Sequence, residues 1–176
     1  EEFAVRVIEC DVVILSDYGK GGLTHLTEMI RLARSAGKPV LVDPKGEDYS
    51  RYIGATLLTP NRSELRQVVG RWKDEAELVA KANQLRTDLN LEALLVTRSE
   101  EGMSLFAAHG SEHEAALARE VFDVSGAGDT VIATVAVMLA SGETLPNAMR
   151  LANRAAGIVV GKLGTATCSI AELRNA

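Results

Sequence analysis

Short unbroken apolar runs alternate along the chain with stretches whose apolar positions recur every three or four residues. Residues 11–15 (Asp11-Val12-Val13-Ile14-Leu15), 39–43, 55–59 and 93–97 are runs of the first kind. Their apolar continuity predicts strands buried on both faces, as in a parallel sheet. The second pattern predicts helices over 23–36, 61–69, 74–89, 128–140 and 145–162. Thr24 can cap the first of these and Gly37 can close it. Asp74 with Glu77 starts the third like a capping box, and Ser169-x-x-Glu172 starts a last helix. The helix over 128–140 is apolar nearly all round, so it is expected to be buried. Residues 103–107 and 112–119 read as a hairpin around His109-Gly110-Ser111.

Strand, helix, strand with crossovers of this length implies an α/β fold, a mostly parallel sheet with helices on both faces and an antiparallel hairpin at one edge. Repeats, linkers and low-complexity tracts are lacking, so residues 1–176 are read as one unit. In such a sheet ligands sit beyond the carboxyl ends of the strands. The polar segments stand there: Asp17-Tyr18-Gly19-Lys20, Asp43-Pro44-Lys45-Gly46, Thr59-Pro60-Asn61 and Thr97-Arg98-Ser99.

Composition narrows the classes. Forty-seven per cent hydrophobic residues with only 4 Pro and 2 Cys exclude disordered, collagen-like and disulfide-scaffold chains. A net charge of −5 argues against a nucleic-acid surface. No apolar run approaches the length of a membrane span, and Glu1-Glu2-Phe3 does not begin a signal peptide. Cys10 and Cys168 fit no metal spacing and read as reduced thiols, so a cytoplasmic protein is expected. His109 and His113 would lie too far apart along a strand to share a metal, and His25 stands alone; no role is assigned to them.

The sharpest chemistry lies in Asp123-Val124-Ser125-Gly126-Ala127-Gly128-Asp129-Thr130. Two glycines allow a tight turn and close approach of backbone to a ligand, and the helix start behind them suits a phosphate. Asp129 falls in the first turn, where an acid either complements the helix dipole or does chemistry. The segment lacks the third glycine of a dinucleotide fingerprint, and Gly161-Lys162-Leu163 is not a Walker loop. Asn61 with Glu64 can form a capping box, and a capped helix start is equally a phosphate site. Lys20 and Lys45 follow neighbouring strands and could face one crevice.

The Asp-x-x-Gly-Ala-Gly-Asp segment before an apolar helix resembles the signature of the ribokinase-like, phosphofructokinase-B type carbohydrate kinases. Asp17-Tyr18-Gly19-Lys20-Gly21, Asp43-Pro44-Lys45-Gly46, Leu58-Thr59-Pro60-Asn61-x-x-Glu64, Thr97-Arg98-Ser99-Glu100-x-Gly102-Met103 and Val159-Val160-Gly161-Lys162-Leu163-Gly164-Thr165 stand in that family's order, and together look like its heptose 7-phosphate kinase branch. The resemblance implies a ribokinase-like fold of which this chain is the C-terminal, nucleotide-binding part, with the first half of the sheet, much of the sugar pocket and a β lid preceding Glu1. It implies Asp129 as catalytic base and Gly126, Ala127 and Gly128 as an anion hole. It places Asn61, Arg62, Ser63, Glu64, Thr97, Ser99, Gly102 and Asn153 at ATP, with Mg²⁺ near Glu64 through water. Lys20 and Lys45 become candidates for substrate or phosphate.

The implied reaction is ATP-dependent phosphorylation of D-glycero-β-D-manno-heptose 7-phosphate at the anomeric hydroxyl, feeding ADP-heptose for lipopolysaccharide. The implied setting is a homo-oligomer, in some relatives fused to a nucleotidyltransferase. The alternatives are a ribokinase-like kinase for another sugar, or a non-catalytic nucleotide-binding fragment.

Overall fold

The computed structural model describes residues 2–19, 23–117 and 121–175. Lys20 and Gly21, and positions 118 and 119 of the expected hairpin, lie outside the described residues. A short helix α1 (Glu2–Arg6) leads into β1 (Val13–Ser16), followed by α2 (Leu26–Ser35), β2 (Val40–Asp43) and β3 (Leu57–Leu58). Then come α3 (Arg62–Val69), α4 (Glu75–Asp88), β4 (Ala93–Thr97), β5 (Met103–Ala107) and β6 (Gly110–Glu114). Helices α5 (Ala127–Ala140), α6 (Leu145–Val160) and α7 (Ile170–Asn175) complete the chain. The six strands form one sheet in sequence order. The pairs β1/β2, β2/β3 and β3/β4 are parallel, whereas β4/β5 and β5/β6 are antiparallel, as the alternation of patterns predicts.

Alternation along the strands divides the core into two layers. Val13 and Leu15, Val40 and Val42, Leu94 and Val96 face α2, α3 and α4, where Ile30, Leu65 and Leu78 bury against them. Leu41, Leu57, Ala93 and Leu95 face α5 and α6, meeting Ile132, Val135, Met149 and Ala152. Between strands of this arrangement helices must cover both faces, and they do.

Five expectations are corrected. Strand β1 is not buried on both faces: Ile14 stays 42% exposed, because β1 is the outer strand and its α5-side surface is only partly covered. Helix α5 is not wholly buried either; it sinks Val131, Ile132, Val135 and Ala136 and leaves Val137 65% exposed. Helix α2 starts at Leu26 with His25 as N-cap and no side-chain cap, so Thr24 does not cap it. Strand β3 is two residues long; Thr56 and Thr59 still bond Val40 and Val42 across the ladder, but Pro60 has no N–H to extend it. The hairpin's second strand begins at Gly110, since a turn of only Ala108 and His109 sets Gly110 opposite Ala107.

Candidate functional site

Two adjoining clefts open at the carboxyl ends of the parallel strands, with Thr97 and Gly128 bordering both. The smaller, of about 190 Å³, is ringed by polar groups, among them Asp43, Thr59, Asn61, Glu64 and Asp129. The larger, of about 410 Å³, is largely apolar. Met103, Val121, Val131, Ala156 and Val160 line it, with Ser99, Gly102 and Asn153.

Local structure explains each wall. Asp123 accepts the Ser125 N–H at 2.8 Å, turning the chain. Gly126 then takes a left-handed φ of 79° as the N-cap of α5. Ala127 N–H is engaged by the Val124 carbonyl at 3.2 Å, whereas Thr130 N–H starts the helical ladder on Gly126. The N–H groups of Gly128 and Asp129 therefore lie in the first turn without a partner in the helix, at its positive end. Both residues border the polar cleft.

Helix α3 is brought to the same place by the Thr97 N–H, which donates to the Pro60 carbonyl at 3.1 Å. Its start is a complete capping box: Asn61 Oδ1 accepts from Glu64 N, and Glu64 Oε2 accepts from Asn61 N, each at 2.9 Å. The other Glu64 oxygen accepts from Lys45 Nζ at 2.8 Å. Glu64 is therefore buried and doubly engaged, and its bond to Lys45 raises the lysine pKa. Tyr52 binds the loops after β1 and β2 together, donating to Asp17 Oδ2 at 2.8 Å and accepting from Lys45 N–H at 3.0 Å.

Asp43 is the group that sequence reasoning quoted without assigning a role. Burial, then the nearby Glu64 and Asp129 carboxylates, push its pKa up to about 6 from an ordinary 3.8. The sign follows from proton linkage. The folded state holds the Asp43 proton more tightly than the unfolded chain, so stability is lost as pH rises from about 4 through 6. Asp43→Asn should remove that loss. Urea titrations in EDTA should find the variant gaining stability over the parent between pH 4.5 and 7.5, by up to about 2 kcal/mol. An equal difference at both pH values would contradict the shared acidic environment.

Of the remaining expected residues, Ala127 lines the apolar cleft. Asn153, almost fully buried, donates Nδ2 to the Ala115 carbonyl at 2.7 Å and so fixes the chain along that cleft. Arg62 and Ser63 line neither cleft; the Arg62 guanidinium pairs with Glu101. Lys45 reaches the polar cleft only through Glu64.

A family model described as pfkB family carbohydrate kinase matches residues 7–172. The chain belongs to this family. Among its relatives, a D-beta-D-heptose 7-phosphate kinase of Bordetella bronchiseptica is 59% identical over 97% of this chain and 54% of the relative. A bifunctional protein HldE of Pseudomonas putida is 61% identical over 94% of this chain and 35% of the relative. The chain therefore spans about half of the first and a third of the second. Arabidopsis thaliana ribokinase, solved with ribose and ATP, superposes with a TM-score of 0.87 at 22% identity, over 99% of this chain and 58% of that one. Phosphofructokinase-2 of Escherichia coli superposes with a TM-score of 0.82 over 98% and 59%. The pfkB fold expected from the sequence is thus present. Among the described residues, no helix is long and apolar enough to cross a membrane.

Proposed function

We propose that the site transfers the γ-phosphoryl group of ATP to the anomeric hydroxyl of D-glycero-β-D-manno-heptose 7-phosphate, in the cytoplasm, as a step towards ADP-heptose. The juxtaposition of clefts carries the reading. An apolar slot suited to a nucleobase shares Thr97 and Gly128 with a polar cleft holding Asp129 and a helix N-terminus. The names and 59–61% identity of the relatives support the sugar.

In this reading Asp129 takes the proton of the attacking hydroxyl as the new oxygen–phosphorus bond forms and the bond to the β-phosphate oxygen breaks, releasing ADP. The first-turn N–H groups of α5 lie where they can meet the charge on the transferred group. Positioning and electrostatics supply most of such catalysis, and the fixed backbone needs little reorganisation. Asn61 and the start of α3 face the nucleotide phosphates.

The donor set fits Mg²⁺: hard carboxylate oxygens of Asp43 and Glu64, without the three-ligand cluster that an all-protein metal site would need among the described residues. Mg²⁺, when bound, would neutralise phosphate charge. Lys45 Nζ pairs with the Glu64 carboxylate at 2.8 Å.

Glu64→Gln tests the metal assignment. Glutamine can keep the bond to the Asn61 N–H, so a purely capping role forecasts little change. The proposal expects a higher Mg²⁺ concentration for half-maximal rate, with a nearly unchanged melting temperature. An unchanged Mg²⁺ titration would return Glu64 to capping alone.

A further inference from the structure

The most heavily bonded side chain near the site touches neither cleft. Arg98 follows Thr97 at the end of β4 and points to the opposite face of the strand. Its side chain is only 9% exposed. All of its donors are engaged. Nη1 and Nη2 donate to the two Glu75 oxygens at 2.7 and 3.0 Å. Nε and Nη2 donate to Glu101 Oε2 at 3.1 and 2.6 Å, and Nη1 also donates to Ser104 Oγ at 3.0 Å. Glu75 opens α4, Glu101 closes the turn after β4, and Ser104 lies in β5. The other Glu101 oxygen binds Arg62 in the first turn of α3.

The turn so gripped is itself under tension. Ser99 holds a left-handed φ of 55°, a conformation that a residue with a Cβ seldom adopts. The Arg98 N–H donates to the Gly102 carbonyl at 2.8 Å, closing the turn over it. Thr97, Ser99, Glu100 and Gly102, the flanks of Arg98, all line the apolar cleft. A planar guanidinium with several donors in a fixed fork can set such a turn; an ammonium cannot replace it.

We infer that Arg98 is a positioning residue for nucleotide: from the back of the sheet it holds the Thr97–Gly102 turn in its binding shape and ties it, through Glu101, to the start of α3. This rests on the nucleotide reading above and adds a residue that never contacts the ligand. Removing the guanidinium frees the strained turn to relax, and the cleft loses its floor before the protein loses its fold.

The test is calorimetric titration of the full-length protein with Mg·ADP at 15 °C, well below unfolding, for the parent, Arg98→Met and Arg98→Lys. A residue that acts on a ligand at second hand shifts affinity by a few-fold to tens of fold. Arg98→Met should weaken Mg·ADP about tenfold. Arg98→Lys should recover only part of this, and sugar-phosphate binding should stay as in the parent. In turnover, KM for ATP should rise more than kcat falls. A purely structural role would lower the melting temperature and leave the 15 °C affinity unchanged, which would overturn the assignment. Should Arg98→Met not fold, Arg98→Lys decides by the same criterion. A parent protein that binds no Mg·ADP would overturn the nucleotide reading itself, and the role of Arg98 with it.

Discussion

Asp129→Asn should cut turnover by orders of magnitude while nucleotide binding persists. The substitution keeps the side chain's shape, its place in the first turn of α5 and the flanking N–H groups, but an amide cannot take the hydroxyl proton. Loss of a positioned base commonly lowers the rate about 10²–10⁴-fold. Rate and nucleotide affinity measured on the same preparation should therefore separate, kcat falling by that factor and the Mg·ADP Kd shifting little. The change also removes one negative charge from the group around Asp43, so the Asp43 carboxyl should titrate lower in the variant. A variant with the parent's turnover would leave Asp129 with nothing but its dipole role.

Gly102→Ala should cost the most stability of any single methyl added near the site. A Cβ at this position would stand 2.0 Å from the Glu114 carbonyl oxygen and 2.6 Å from the Ala116 nitrogen, both backbone atoms. Its φ of 90° is itself unfavourable for any residue with a side chain. Overpacking costs about 1–3 kcal/mol and the backbone strain about 1–2, so a loss of about 3 kcal/mol or more is expected. In a chain of this length that lowers the melting temperature by roughly 6–12 °C. Nucleotide binding should suffer too, because the 114–116 segment pressed against Gly102 continues into the apolar wall at Ala116 and Leu117. Differential scanning calorimetry and a nucleotide titration check both halves. A melting temperature within 2 °C of the parent, a margin worth only about 0.5–1 kcal/mol at this size, would show that the two segments are not in the contact described.

How much of this was legible in the sequence follows the range of the interactions. Unbroken apolar runs located the strands because the inner ones need apolar residues on both sheet faces, and the rule that ligands gather at strand ends pointed to Asp43, Asn61 and Thr97 together. The loop at Gly126 was legible because its backbone demands glycine locally. The capping box at Asn61 and Glu64 was legible for the same reason. What escaped depends on partners far along the chain. The resemblance places Arg62 at ATP, but nothing local says that Glu101, 39 residues on, will pair with its guanidinium. The resemblance places Asn153 at ATP and it lines the apolar cleft, but nothing local says that a carbonyl 38 residues away will hold its amide. Arg98 sat inside a quoted motif without distinction, since nothing local says that Glu75 will lie behind it. Asp43 offered a signal that could have been used: an acid at a strand end, two residues before a candidate lysine, in line with two other acids.

Coupled ADP release by the full-length protein tests the proposed phosphoryl transfer most directly. ATP and Mg²⁺ are supplied with D-glycero-D-manno-heptose 7-phosphate, and in parallel with ribose and fructose 6-phosphate. The expected result is ADP formed one for one with a heptose bisphosphate, at a rate far above that with the other sugars, and cut by orders of magnitude in Asp129→Asn. ADP release that ignores the sugar, or that runs at the parent's rate in Asp129→Asn, would contradict it.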